Sequence, residues 1–199
     1  NMWRGWTMEP KKGDWSKLRT HIKDILCCGN ELHYNWVLDW MADLYQDPAN
    51  PKGCAVVMHG VEGCGKGTFM EAMGRTMGRH YKHVTQEDHL TGRFNGHLQD
   101  ALLVFADEVT YGGSRKTAGN LKAMVTESKL TVERKGIDAV SFRNCSRIGI
   151  AWNEDWFIPA GPQSRRWFVL DVSSEKAQKA AWLRPIYHEM DHGGAQAMM

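Results

Sequence analysis

Val56-Val57-Met58-His59-Gly60-Val61-Glu62-Gly63-Cys64-Gly65-Lys66-Gly67-Thr68 decides how the chain is read. A short apolar run breaks into four glycines within nine positions, with a lysine and a threonine among the last three. Glycine has no Cβ, so the backbone N–H groups of such a stretch can turn to one side. Together with the dipole of a following helix they form a cradle for polyphosphate. The run before the glycines predicts a strand, and Phe69-Met70-Glu71-Ala72-Met73 after them predicts a helix. Lys66 then reaches the β- and γ-phosphates, and Gly60, Gly63, Cys64, Gly65, Gly67 and Thr68 line the cradle. A glycine-rich turn without a ligand is the plainer alternative, and the strand–loop–helix context weighs against it.

A second informative stretch is Ala101-Leu102-Leu103-Val104-Phe105-Ala106-Asp107-Glu108, a buried strand ending in two acids. Two carboxylates at a strand end are costly unless something positive sits there, and beside a phosphate cradle that is Mg²⁺. Asp107 is expected to hold the metal on a strand neighbouring the glycine loop, and Glu108 to activate the attacking water. In the commonest form of such loops a hydroxyl residue directly follows the lysine; here Gly67 intervenes, so Mg²⁺ ligation by Thr68 has weaker support. A third apolar run, Arg147 to Trp152, ends in Asn153, whose amide suits the γ-phosphate or the attacking water. A turn-forming asparagine fits that position as well. Arg165 and Arg166 precede a last run, Trp167-Phe168-Val169-Leu170-Asp171. Arginine suits the charge on a transferring phosphoryl group, and a solvated strand edge is the alternative.

The rest of the chain frames these pieces. The 199 residues, 42% of them hydrophobic, suffice for one α/β domain with an additional segment. The net charge of +2 provides no global basic field, so nucleic acid would have to use local patches. The five cysteines lack CxxC spacing and read as reduced, in a cytoplasmic setting. The longest apolar run is far too short for a bilayer, so no membrane partner is expected. Asn at position 1 fits a piece cut from a longer protein.

Residues 1–52 read as an N-terminal helical segment and linker. Asp14 caps a helix bearing Leu18, Ile22, Ile25 and Leu26, Gly29-Asn30 ends it, and a second helix carries Trp36, Val37, Trp40, Met41 and Leu44. Residues 53–199 read as the core: strands near 54–59, 101–106, 147–152 and 166–172, helices near 66–78 and 118–127, and a C-terminal helix containing Pro185. This alternation predicts an α/β fold with a mostly parallel sheet flanked by helices. Leu130 to Arg134 and Ile137 to Arg143, joined by Lys135-Gly136, predict an inserted β-hairpin with a basic tip. His188-Glu189-Met190-Asp191-His192 matches a zinc motif formally, but no third ligand is evident, and a frayed terminal helix is the better account.

The order of these pieces resembles the superfamily-three helicases of the AAA+ class, most closely the helicase domain of phage and virus primase–helicases, over about residues 53–172. Leu90-Thr91-Gly92-Arg93-Phe94-Asn95 and Arg165 to Asp171 also resemble that group, as do Trp3-Arg4-Gly5-Trp6 and Gly13-Asp14-Trp15 less distinctively. The resemblance implies a P-loop NTPase that binds ATP and Mg²⁺. It assigns the first motif to Gly60–Thr68, the second to Asp107-Glu108 and the end of the third to Asn153. It implies that the hairpin enters the channel of a homo-oligomeric ring, a hexamer, with Lys129, Arg134 and Lys135 gripping single-stranded DNA. It places an arginine finger at Arg165 or Arg166, and it allows a primase or polymerase domain in the parent protein. The expected activity is an ATP-dependent DNA helicase or translocase. Two rivals stand beside it: a nucleotide kinase with an adenylate-kinase-like loop, and an AAA+ module that binds nucleotide and assembles without unwinding.

Overall fold

The computed structural model describes residues 2–107, 115–153 and 164–199, with the backbone alone at 115–117. After an irregular arm come α1 (Ser16–Thr20), a wide π-type turn (His21–Leu26) and α2 (Glu31–Gln46). The core follows with β1 (Ala55–His59), α3 (Lys66–Met77), β2 (Tyr81–Val84), α4 (Glu87–Thr91), β3 (Leu103–Asp107) and α5 (Arg115–Thr126). Next are β4 (Lys129–Arg134), β5 (Ile137–Arg143), β6 (Arg147–Trp152) and β7 (Trp167–Asp171). The tail holds α6 (Ala180–Glu189), a second wide turn (Met190–Gly194) and α7 (Ala195–Met198).

Five strands form one parallel sheet in the order β2-β3-β6-β1-β7. Side chains alternate across a strand, so each apolar run supplies two layers. Val56, Met58, Leu103, Phe105, Ala151 and Leu170 face a cluster shared with α2, α3 and the tail. Ala55, Val57, Val104, Ala106, Ile148 and Ile150 face a second cluster with Leu121, Met124 and Val125 of α5. Cover on both faces is what a parallel sheet requires, and it explains the unbroken apolar runs. The four expected strands are present. β2 was not expected because it is a four-residue edge strand with half-exposed side chains and no apolar run. The antiparallel β4–β5 pair is the expected hairpin, separate from the sheet, with Gly136 at φ +76 in its turn.

The N-terminal segment packs into the same core. Leu18, Ile22, Val37, Met41 and Leu44 are fully or almost fully buried beside Val56, Met58 and Phe69. Trp36 stacks on Phe168 of β7 with ring centroids 3.8 Å apart, and the Trp40 indole N–H donates to the Cys54 carbonyl at 3.1 Å. Both tryptophans are therefore packing residues. Asp14 does accept the Ser16 N–H at 2.9 Å, but Asn30, expected as a stop, instead starts α2 by accepting from Leu32 and His33. The tail is not frayed: Met190, Ala195 and Met198 are buried. Glu189, the acid of the apparent zinc motif, accepts the Lys17 and Leu18 N–H groups at 2.9 and 3.0 Å, capping α1. Among the described residues no three His, Cys, Asp or Glu side chains gather to hold a metal, and no helix is long and apolar enough to cross a membrane.

Arg147 at the start of β6 ties the sheet to α2. Only 3% exposed, it binds the Asp43 carboxylate at 2.6 Å and donates to the Asp47 and Pro48 carbonyls at 2.7 and 3.0 Å. Removing one partner of a buried ion pair leaves the other charge and its acceptors stranded. Arg147→Ala is therefore expected to destabilise the protein by about 3 kcal/mol or more in chemical unfolding; a loss below about 1 kcal/mol, the range of exposed pairs, contradicts this account of the junction.

Candidate functional site

In a parallel sheet all strands finish on one edge, and there the glycine loop leaves β1. Gly63 and Gly65 take φ values of +73 and +94, which side chains disfavour. A Cβ on Gly65 would stand 2.5 Å from the His21 ring, and one on Gly63 2.9 Å from Gln178. The loop therefore has to be glycine both for its turn and for its close neighbours. Helix α3 starts at Lys66, so its first N–H groups point back into the loop.

Lys66 is 5% exposed and folds over its own loop. Its ammonium donates to the Gly60 and Val61 carbonyls at 2.5 and 2.9 Å and to Asn153 Oδ1 at 2.6 Å. The Asn153 contact follows from topology. β6 pairs directly with β1, with Trp152 opposite His59, so the residue after β6 emerges beside the loop. The two residues proposed for phosphate contact, 87 positions apart, thus meet in one hydrogen bond.

Asp107 ends β3, and the structure corrects one expectation here. Its strand is not next to β1, because β6 lies between them. Met58, Ala151 and Asp107 stand in register across the three strands, so Asp107's backbone is about 10 Å from β1, two strand spacings. Asp107 faces the same sheet edge as the loop, and its Oδ2 lies 3.1 Å from His83 Nε2. That histidine, on β2, stacks on Phe105 with centroids 4.9 Å apart. Sequence reasoning missed His83 as a site residue because β2 itself carried no strand signal. Glu108 lies outside the described residues.

The remaining candidates fall elsewhere. The Thr68 hydroxyl is bonded to the Tyr187 hydroxyl at 3.0 Å, which in turn donates to Glu71 at 3.2 Å. Thr68 thus serves the α3–α6 packing in this arrangement. Arg165 and Arg166 precede β7, where the Arg166 carbonyl accepts the Ala55 N–H at 2.8 Å. They therefore occupy the edge where strands begin, opposite the loop, and are not brought to Lys66 within one chain. Arg165 is exposed and Arg166 half-buried. Lys129, Arg134 and Lys135 are exposed on the hairpin, Lys135 in its turn, while Arg134 leans on the Gln99 side chain. A cavity of about 950 Å³ opens beneath the hairpin, lined by Leu90, Leu98, Met124, Leu130, Val132 and Phe142, at the strand-start edge.

As a site, the loop fits a triphosphate: inward N–H groups, a helix N-terminus and one buried cation. A hard divalent cation takes oxygen ligands, and the carboxylate of Asp107 is one such group at this edge. The comparisons with known proteins agree with the fold. The chain is 26% identical over 156 residues to the DNA primase-polymerase of Nitratiruptor phage NrS-1, covering 77% of this chain and 22% of that protein. The solved apo C-terminal region of the NrS-1 protein superposes with a TM-score of 0.81 at 20% identity, over 97% of this chain and 48% of that one. JCV helicase, solved with a bound small molecule, gives a TM-score of 0.54 at 17% identity over 94% of this chain and 53% of that one. The chain thus spans under a quarter of the curated relative and about half of each solved chain. A family model matches residues 58–166, from the end of β1 to the arginines before β7. As that match covers more than half of its length, the chain belongs to the family described as a family of unknown function, DUF5906.

Proposed function

We propose that this chain is the ATP-hydrolysing motor of a replication protein, a superfamily-three-type helicase or translocase that moves on single-stranded DNA. The observation that carries this reading is the bond between Lys66 and Asn153, which ties the glycine loop to the end of the central strand. An asparagine so placed can report the γ-phosphate to β6, and through β6 to the hairpin that precedes it in the chain. When nucleotide enters, Lys66 exchanges the Gly60 and Val61 carbonyls for phosphate oxygens, because a buried ammonium needs acceptors at every stage. Asp107 holds the metal, with His83 fixing the orientation of its carboxylate, and Glu108 orients the water. Bound Mg²⁺ supplies charge neutralisation at the transferring phosphoryl group. The relation to the NrS-1 primase-polymerase supports a parent protein with a primase or polymerase domain.

The placement of the arginines supports assembly. Standing at the opposite edge from the loop, Arg165, the more exposed of the two, suits the site of a neighbouring subunit in a ring. The hairpin's cationic side chains suit sugar–phosphate contact rather than base reading.

Three outcomes test this. Lys66→Ala, Asp107→Asn and Glu108→Gln should each lower ATP turnover about a hundredfold or more, with and without single-stranded DNA; unchanged turnover, or phosphate transfer to a nucleoside monophosphate, contradicts the motor reading. A mixture of Arg165→Ala and Lys66→Ala chains should hydrolyse ATP faster than either variant alone, since mixed interfaces restore some complete sites; no recovery contradicts an arginine supplied in trans. Replacing Lys129 and Lys135 by Ala should weaken single-stranded DNA binding and flatten its salt dependence by about 0.7 in log–log slope for each lost phosphate contact. An unaltered slope removes the hairpin from the DNA path.

A further inference from the structure

His21 is completely buried, yet it is polar and lies far in sequence from every motif of the site. It sits in the wide turn after α1, with its ring against the glycine loop. Nε2 lies 3.1 Å from the Gly65 carbonyl, and Nδ1 lies 3.0 Å from the indole nitrogen of Trp182 on α6. An indole N–H only donates, so Nδ1 is the acceptor and the ring proton resides on Nε2. Nε2–H therefore donates to Gly65. Burial pushes the imidazole's pKa below its ordinary value, consistent with a neutral ring.

The consequence for the loop comes from peptide geometry. In a trans peptide the carbonyl and the next N–H point in opposite directions. Holding the Gly65 carbonyl toward His21 aims the Lys66 N–H the other way. The Gly63 carbonyl is held likewise by the Gln178 N–H at 3.0 Å, which aims the Cys64 N–H. A carbonyl turned inward would repel an anion, so an anion cradle depends on such outward anchors. Gly65 also accepts the first helical bond from Phe69 at 3.3 Å, and a Cβ there would meet Leu183 at 3.1 Å as well as the His21 ring. The His21 and Gln178 anchors come from the two ends of the chain, whereas Phe69 belongs to the loop's own helix.

We propose that His21 is a positioning residue for nucleotide: its Nε2–H holds the Gly65 carbonyl outward, Trp182 fixes the tautomer that makes this possible, and the pair sets how tightly phosphate is bound. This rests on the nucleotide reading given above. The test is equilibrium binding of a fluorescent ATP analogue with Mg²⁺ to the full chain, alongside thermal melting of each variant. Gln can place an N–H near the position of Nε2, whereas Asn reaches only the position of Nδ1 and Leu donates nothing. His21→Leu and His21→Asn should weaken binding about tenfold, and His21→Gln should recover most of it. Trp182→Phe, which keeps an aromatic ring but removes the indole donor, should weaken binding about threefold, and it decides the matter if the His21 variants do not fold. Binding by His21→Leu or Trp182→Phe equal to the unaltered chain overturns the proposal. So does a Gln variant that binds no better than Leu, because the effect then belongs to packing alone. A folded, unaltered chain that binds no analogue overturns the nucleotide site itself, and the role of His21 with it.

Discussion

The position of β6 between β1 and β3 is the constraint on which the site depends. Parallel pairing brings every strand's end to one edge, and the strand order decides which ends are neighbours. β6 sets Asn153 beside the glycine loop, within hydrogen-bond reach of Lys66, and keeps Asp107 about two strand spacings from β1. A triphosphate with its metal spans that kind of distance. The same strand begins at Arg147, whose buried guanidinium is locked to the end of α2, so displacement of β6 at either end is resisted.

Much of this was legible in the sequence, for identifiable reasons. β1, β3, β6 and β7 carry apolar residues on both faces, and the resulting runs stand out against the glycine and charged segments around them. The two-residue break at Lys135-Gly136 marks the hairpin turn. Asn153 follows directly from a strand end, and Lys66 closes the glycine loop that leaves one, so the strand and glycine pattern locates both. What was not legible came from single side chains without a period. His83 sits on an edge strand too short and polar to register. His21, Trp182, Gln178 and Tyr187 reach the loop or α3 from the N-terminal turn and the tail, and nothing local in their sequence points to Lys66. The pairing of Glu189 with the start of α1 is similar: the spacing suggests a metal, while the fold employs the acid as a helix cap. Sequence order also says nothing about sheet edges, so it does not show that the arginines before β7 stand at the other end of the sheet from the loop.

The ends of the chain are more than packing around the parallel sheet. The turn after α1 and the tail lie against the glycine loop, and the Gly65 and Gly63 carbonyls are held by His21 and Gln178 from them. Helices 16–46 share one apolar cluster with β1 and α3, so the loop's shape and the stability of the outer helices are coupled. The hairpin, by contrast, stands apart from the sheet, with Ile137 and Val140 exposed. The glycine loop is held by both ends of the chain, whereas the basic hairpin forms a sheet of its own.

A crystal structure of this chain with a non-hydrolysable ATP analogue and Mg²⁺ tests the central claim most directly. The account requires the phosphates to lie against the N–H groups of residues 61–67, with the Lys66 ammonium moved off the Gly60 carbonyl onto a phosphate oxygen and the metal on the Asp107 side. Nucleotide bound instead in the hollow beneath the hairpin, with Lys66 still on Gly60 and Val61, contradicts it.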